Sequence, residues 1–121
     1  MESNSTASVL RIYIGSTDQV NQQPLYEFIV FQAKKKGIAG ATVTKGIMGF
    51  GASSVIHSYK FWEVSDKIPL IVEMVDEEDK IRTFYETIRP QLDSMKYGCL
   101  VTIEKTTVLI YKSGQKHLFD L

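Results

Sequence analysis

The sequence predicts an α+β sandwich: an antiparallel sheet with two helices on one face and an extra C-terminal strand. Three observations carry this. Short runs of alternating or β-branched residues recur near positions 9, 41, 69 and 100, and two segments of helical spacing lie between them. The order is strand, helix, strand, then strand, helix, strand, with similar spacing in each half. Finally, 121 residues with 44% apolar composition suffice for one core and do not call for a second domain.

The first strand is VLRIYIG at 9–15, with Leu10, Ile12 and Ile14 on one face and Val9, Arg11 and Tyr13 on the other. A polar piece, STDQVNQQ, leads to Pro24, a favourable first helical residue. Leu25, Phe28, Ile29 and Ala33 then recur at helical spacing. Lys34, Lys35 and Lys36 suit the negative end of the helix dipole and Gly37 supplies a left-handed stop, giving a helix over 24–36. ATVTK at 41–45 is the second strand, and SYKFWEV near 58–64 is expected as a short extended arm.

PLIVEMV at 69–75 is the third strand. Asp76 is the expected N-cap of the second helix, with Glu77, Glu78 and Asp79 in the first turn, where the dipole favours acids. Ile81, Phe84, Tyr85, Ile88, Leu92 and Met95 form its apolar stripe, and Pro90 is expected to kink or break it. Gly98 marks the exit, 100–103 the fourth strand and 108–111 a fifth. The domain is expected over 9–112, with a disordered tail at 1–8 and a second tail at 113–121.

This order is that of the ferredoxin-like split βαβ arrangement, in which both helices cover one sheet face. The other face must be solvated or covered. Val9, Tyr13 and Val43 are expected to place apolar groups there, which predicts an oligomer.

Composition narrows the partners. Fourteen basic residues balance fourteen acidic ones, so no overall field draws the chain to nucleic acid or an anionic membrane. The single cysteine, Cys99, forms no intrachain disulfide and suits a reducing compartment. MESNSTAS at the start lacks the pattern of a signal peptide, and no apolar run has the length of a membrane span. The expected location is cytoplasmic.

The segment GATVTKGIMGFGASS at 40–54 carries the most functional information, because a strand runs directly into a loop holding Gly46, Gly49 and Gly51. Closely spaced glycines permit backbone geometries that side chains forbid and let main-chain N–H groups approach a ligand. Residues 46–59 carry no charged side chain. The segment reads as a recognition loop, although glycines in loops more often serve turns. No phosphate-loop motif ending in Gly-Lys-Ser/Thr is present, so NTP hydrolysis is not expected.

With these elements in place, the chain resembles the PII signalling superfamily, and within it an uncharacterised bacterial and archaeal PII-like group. The resemblance rests on RIYIG at 11–15, PLYE at 24–27, GIAGATVTKGIMGFGASS at 37–54, PLIVEMVD at 69–76 and the YG at 97–98 that precedes a strand. It implies a homotrimer with its sheets packed around a threefold axis, adenine nucleotides in clefts between subunits, and a loop after the second strand that reports ligand state to a partner. For PII relatives that partner is often a membrane transporter or channel. The implied ligand-binding residues are Thr42 at the adenine-side strand, Gly49, Phe50 and Gly51 at the start of the signalling loop, Val75 in the base pocket, and Gly98 contributed by the neighbouring subunit. Ser53 follows in the same loop.

The departures from the family pattern bear on the ligand. Ala52 and Ser53 stand where other PII proteins carry arginine and glutamine, Cys99 where they carry lysine, and VLIY at 108–111 replaces a basic strand. A triphosphate is held by several charge-assisted hydrogen bonds, and most of those donors are absent. The resemblance then implies a less charged effector, such as AMP or ADP, unless Lys45, Lys60, Arg11 or Lys112 supplies charge from another direction.

Other residues have plainer readings beside functional ones. His57 could ligate a metal or sense pH, since an unperturbed histidine has a pKa of about 6.5, but a lone histidine is commonly a polar loop residue. Ser53, Ser54 and His57 lack a nearby carboxylate to orient the histidine, so no catalytic residue is assigned. Cys99 reads as a small strand residue, and Phe61 and Trp62 as partner anchors or arm packing. An RNA-recognition domain shares this element order, but Met48 and Ala52 stand where it needs a basic and a stacking residue. A small ferredoxin-like oligomeric enzyme or a trimeric metal-tolerance protein is the remaining alternative. Neither the oriented histidine of the first nor the His, Cys and carboxylate cluster of the second is visible, so no metal site or cofactor is expected beyond a possible adenine nucleotide.

Overall fold

Two-sided antiparallel pairing of the first long strand organises the molecule. The computed structural model describes residues 1–51, 57–58 (backbone) and 67–114. Its elements are β1 (Ser5–Gly15), β2 (Gln19–Val20), β3 (Gln23–Pro24), α1 (Leu25–Lys35), β4 (Ala41–Lys45), β5 (Met48–Gly49), β6 (His57–Ser58), β7 (Pro69–Asp76), α2 (Glu78–Ser94) and β8 (Leu100–Val108). The main sheet has the order β4-β7-β1-β8 and every neighbour is antiparallel. This is the ferredoxin-like order expected from the sequence.

The register explains which side of each strand is buried. Ile12 stands opposite both Val72 and Val101, and Leu10 opposite both Met74 and Ile103. These residues, with Ile14 and Leu70, face Leu25, Ile29 and Ala33 of α1 and Ile81, Phe84, Ile88 and Leu92 of α2 in one core. The alternation in PLIVEMVD is realised as a strict buried and half-buried pattern along β7. Val43 departs from expectation. It pairs with Val72 and packs on the core, so Thr42 and Thr44 take the open face instead. The register with β7, invisible in a five-residue strand, decides its parity.

Strand limits also shift. β1 begins at Ser5, within the segment expected as a disordered tail, because β8 runs on to Val108 and supplies ladder partners to Ser5, Thr6 and Ala7. The same pairing extends the expected fourth strand through Val108, and 109–111 of the expected fifth form no strand. Leu109 to Tyr111 follow it outside any strand and exposed, apart from a backbone N–H of Tyr111 that donates to Ser3 Oγ at 2.9 Å. The polar piece before α1 is a hairpin of β2 and β3, turned by Asn21 and Gln22 at φ of 50° and 65°. Two successive positive φ values are those of the turn whose twist matches paired strands.

Helix ends follow local chemistry. α1 stops in a Schellman motif: Ile38 N–H donates to the Ala33 carbonyl at 3.0 Å, Gly37 N–H to that of Lys34 at 3.2 Å, and Gly37 has φ +78°. Pro24 precedes the helix as its N-cap residue. Asp76 is not the N-cap of α2. It ends β7, is 1% exposed, and its carboxylate accepts the N–H groups of Ala39 (2.9 Å) and Glu77 (2.8 Å). Glu77 takes the cap position without a side-chain cap. Pro90 does not break α2, which continues to Ser94. It lies on the exposed face with Glu86, so the carbonyl it leaves without a helical donor faces water, while Ile88 and Leu92 hold the stripe to the core.

Gly37 and Gly40 make a paired test. A Cβ at Gly40 meets nothing within 4 Å and its φ is not positive, whereas Gly37 is left-handed. Gly37→Ala is expected to lower unfolding free energy by about 1 kcal/mol and Gly40→Ala to change it by less than about 0.5 kcal/mol. Urea denaturation at fixed protein concentration reads both, and equal midpoints would remove the left-handed stop as a determinant.

Candidate functional site

β1 ends, β4 has just ended, and β7 and β8 begin at the same edge of the sheet, so four chain segments converge there. Between them is a cavity of about 560 Å³. Its glycine wall is Gly46, Gly49 and Gly51, with Met48 and Phe50 among them. The strand ends contribute Tyr13, Ile14 and Gly15 from β1 and Pro69 to Ile71 from β7. Gly98, Cys99 and Leu100 close the far side, and Asp18 and Lys67 are the charged residues among the described lining.

The glycine loop is built differently from expectation. Gly46, Gly49 and Gly51 are not left-handed; among the described glycines only Gly37 has positive φ. Gly46 is required by proximity: its N–H donates to the Pro69 carbonyl at 2.7 Å, and a Cβ there would lie 3.1 Å from Pro69 Cγ. At Gly51 a Cβ would meet nothing within 4 Å, so its small size leaves open space beside the cavity. β5 and β6 then pair Met48 with Ser58 and Gly49 with His57, folding the loop into a two-stranded ribbon at its base. Ile47, Met48 and Phe50 are exposed by 81%, 63% and 71%, an apolar surface that a lone subunit leaves in water.

The expected site residues divide into two groups. Gly49, Phe50, Gly51 and Gly98 line the one cavity, and they do so within a single chain. Lys45 ends β4 beside Gly46 and is exposed without lining it. Thr42 pairs with Glu73 and Val75 with Val9, further along the sheet and outside the cavity. Val75 is six residues up β7 from Pro69, about 20 Å at the rise of an extended strand. Ser53 lies outside the described residues, as do Ala52, Lys60, Phe61, Trp62, most of the arm at 58–64, the tail from 115 and the side chain of His57. Arg11 does not reach the cavity. It sits on the open sheet face, where its guanidinium donates to Glu104 and, at 2.8 Å, to Glu73, and these bonds raise its pKa.

Sequence reading missed Asp18, Lys67 and Tyr13. Asp18 lies in the turn after β1, where its Oδ2 accepts Gly15 N–H at 2.7 Å and its carbonyl accepts Leu25 N–H at 2.8 Å. Its side chain is 2% exposed and pairs with Lys67 Nζ at 2.9 Å. The Lys67 stem crosses Gly15 so closely that a Cβ there would lie 2.0 Å from Cε. The ammonium also stands 4.1 Å from the centroid of the Tyr97 ring, a cation–π contact. The signal present in the sequence was an acid three residues after a strand-ending glycine, an ordinary turn pattern until Lys67 is seen against it.

Burial pushes the Cys99 thiol up from its ordinary pKa, and the charges of Asp18 and Asp93 push it the same way. Such a thiol is a poor nucleophile at neutral pH. Among the described residues, no group of three or more His, Cys, Asp or Glu side chains could hold a metal ion. The described lining therefore offers an apolar and glycine surface, the aromatic residues Phe50 and Tyr13, and the paired charges of Asp18 and Lys67. Alkylation of Cys99 by iodoacetamide should reach half its limiting rate at a pH above that of an unfolded cysteine peptide, and Asp93→Asn should move that midpoint down. A midpoint at or below the peptide value would refute control by burial.

The model of the family DUF190, described as Uncharacterized ACR, matches residues 7–108. A UPF0166 protein of Aquifex aeolicus is 33% identical over 101 residues, covering 84% of this chain and 91% of the relative. A UPF0166 protein of Methanocaldococcus jannaschii is 36% identical over 87 residues, covering 69% and 80%. Among solved structures, CPII, a nitrogen regulatory PII-like protein from Thiomonas intermedia bound to ADP, AMP and bicarbonate, superposes with a TM-score of 0.65 at 14% identity, over 86% of this chain and 89% of that one. A putative PII-like signaling protein from Thermus thermophilus superposes at 0.58 with 17% identity, over 86% and 90%. The family match across nearly the whole sheet, together with these superpositions, makes the chain a member of the DUF190 family with a PII-like ferredoxin fold.

Proposed function

We propose that this protein is a non-enzymatic regulator that binds an adenine nucleotide, AMP or ADP, in the cavity beside the glycine loop and signals occupancy through that loop to a partner protein. The observation that carries the reading is the cavity itself, which gathers Gly49, Phe50, Gly51 and Gly98 from segments far apart in sequence. Glycine main chain lets a phosphate or ribose come close, and Phe50 and Tyr13 supply flat apolar surface for a base. The fold relative CPII has been solved with ADP and AMP, which supports this ligand class.

The assembly in this reading is a homotrimer. On the open sheet face Tyr13, Ile71 and Val75 surround the Arg11, Glu73 and Glu104 cluster, a mixed surface suited to burial against other copies of itself. Nucleotide contact with Gly49, Phe50 and Gly51 would alter the fit of this loop to the partner. A membrane transporter or channel is the kind of target this reading favours. No helix among the described residues is long and apolar enough to cross a membrane. With its one half-buried cysteine the protein fits a reducing, cytoplasmic setting.

Native mass spectrometry with AMP, ADP and ATP counts subunits and ligands together. The expected result is a trimer taking up three copies of one nucleotide. Gly51→Asp projects a carboxylate into open space at the cavity wall and should reduce nucleotide affinity at least about tenfold by charge repulsion while leaving the trimer intact. Unchanged affinity would remove the loop from the site, and a trimer that binds none of the three nucleotides would refute the effector class.

A further inference from the structure

The one charge pair in the described cavity lining is arranged in a way that bears on which ligand the cavity accepts. Lys67 is the cation among the described lining residues, and it is held from three sides. Its stem lies across Gly15, its ammonium pairs with Asp18 at 2.9 Å, and the Tyr97 ring stands 4.1 Å away. Asp18 is fixed in turn by the Gly15 N–H and is 2% exposed, whereas Lys67 is 15% exposed. Drawing the ammonium towards a ligand phosphate would strand the carboxylate without water or a counter-charge, which is strongly unfavourable. An added phosphate charge would also approach Asp18 itself. Lys45, the nearest alternative among the described cations by sequence, is exposed and outside the lining.

We propose that the Asp18 and Lys67 pair is the specificity determinant of this cavity: by neutralising the cation internally, it selects a nucleotide of low charge, AMP over ADP over ATP. This rests on the adenine nucleotide reading above and adds to it the residues that set phosphate number. Asp18 acts through Lys67 and is a positioning residue. Removing its charge takes the carboxylate counter-charge from the ammonium and makes the cavity more favourable to phosphate, and the isosteric asparagine retains an oxygen to accept the Gly15 N–H. The cavity of Asp18→Asn gains one net positive charge, that of Lys67→Gln gains one net negative charge, and the double variant returns to neutrality.

Isothermal titration calorimetry of the four proteins with AMP, ATP and sodium tripolyphosphate tests this, with a thermal melt of each to confirm folding. Wild type is expected to favour AMP over ATP by about tenfold, and Asp18→Asn to gain about tenfold in ATP affinity with AMP changed less. Lys67→Gln should weaken ATP more than AMP, and the double variant should restore the wild-type ratio. An ATP to AMP ratio unmoved in Asp18→Asn, or a double variant that behaves like Asp18→Asn, would overturn the proposal. Should Asp18→Asn not fold, an unchanged ratio in Lys67→Gln overturns it equally. Failure of every protein to bind either nucleotide would refute the nucleotide reading instead, and tripolyphosphate then decides the charge rule: a tenfold gain in Asp18→Asn upholds it and no gain refutes it.

Discussion

The pairing of β1 on both edges constrains the whole structure. Because β7 and β8 are each locked to it residue by residue, the even positions Leu10, Ile12 and Ile14 bring Met74, Val72 and Leu70 on one side and Ile103 and Val101 on the other to the same face. A slip of one residue in the β7 ladder would turn Leu70, Val72 and Met74 to water and bring Glu73 beneath the helices. Charge and burial thus enforce the same register: the Arg11 bonds to Glu73 and Glu104 form only when the apolar sets meet on the opposite side.

That register also creates the cavity. Fixing β1 against β7 sets Gly15 opposite Pro69, and Gly46 then closes on the Pro69 carbonyl. Tyr13 faces Leu100 across the other ladder, which delivers Gly98 and Cys99 to the same edge. The site is a consequence of where two strands stop and two begin, and the charged residues of its described lining are Asp18 and Lys67. Lys67 crosses the gap over a glycine to a carboxylate held by the turn, so Gly15 serves both the strand end and the passage of the lysine stem. An apolar pocket with few and already paired charges suits a ligand recognised mainly by shape and stacking.

Buried polar groups tie the two halves of the fold together. Asp76, at the end of β7, accepts backbone N–H groups from Ala39 and Glu77, and Lys80 pairs with it at 3.6 Å while donating to the Gly37 carbonyl at 2.6 Å. The left-handed stop of α1 and the start of α2 are thereby fixed to one point. Asp18 does the equivalent at the other end of the sheet, joining the turn after β1 to the segment before β7. Both acids lie at or within three residues of a strand end, where a short carboxylate reaches nearby backbone N–H groups.

Local pattern was enough to determine the element types, their order and most of the core, because periodicity of two in VLRIYIG and PLIVEMV and the helical stripe from Ile81 to Leu92 depend only on burial of one face. It also located Gly37 as a helix stop, since a left-handed φ is a local backbone matter. Four things were settled by tertiary structure alone. The side taken by Val43 and the reach of β1 back to Ser5 depend on partners remote in sequence, and a strand's own residues do not encode its register. The continuity of α2 through Pro90 depends on which face meets water. The Asp18 and Lys67 pair depends on two segments 49 positions apart meeting over Gly15, a contact made by the folded sheet and by no motif.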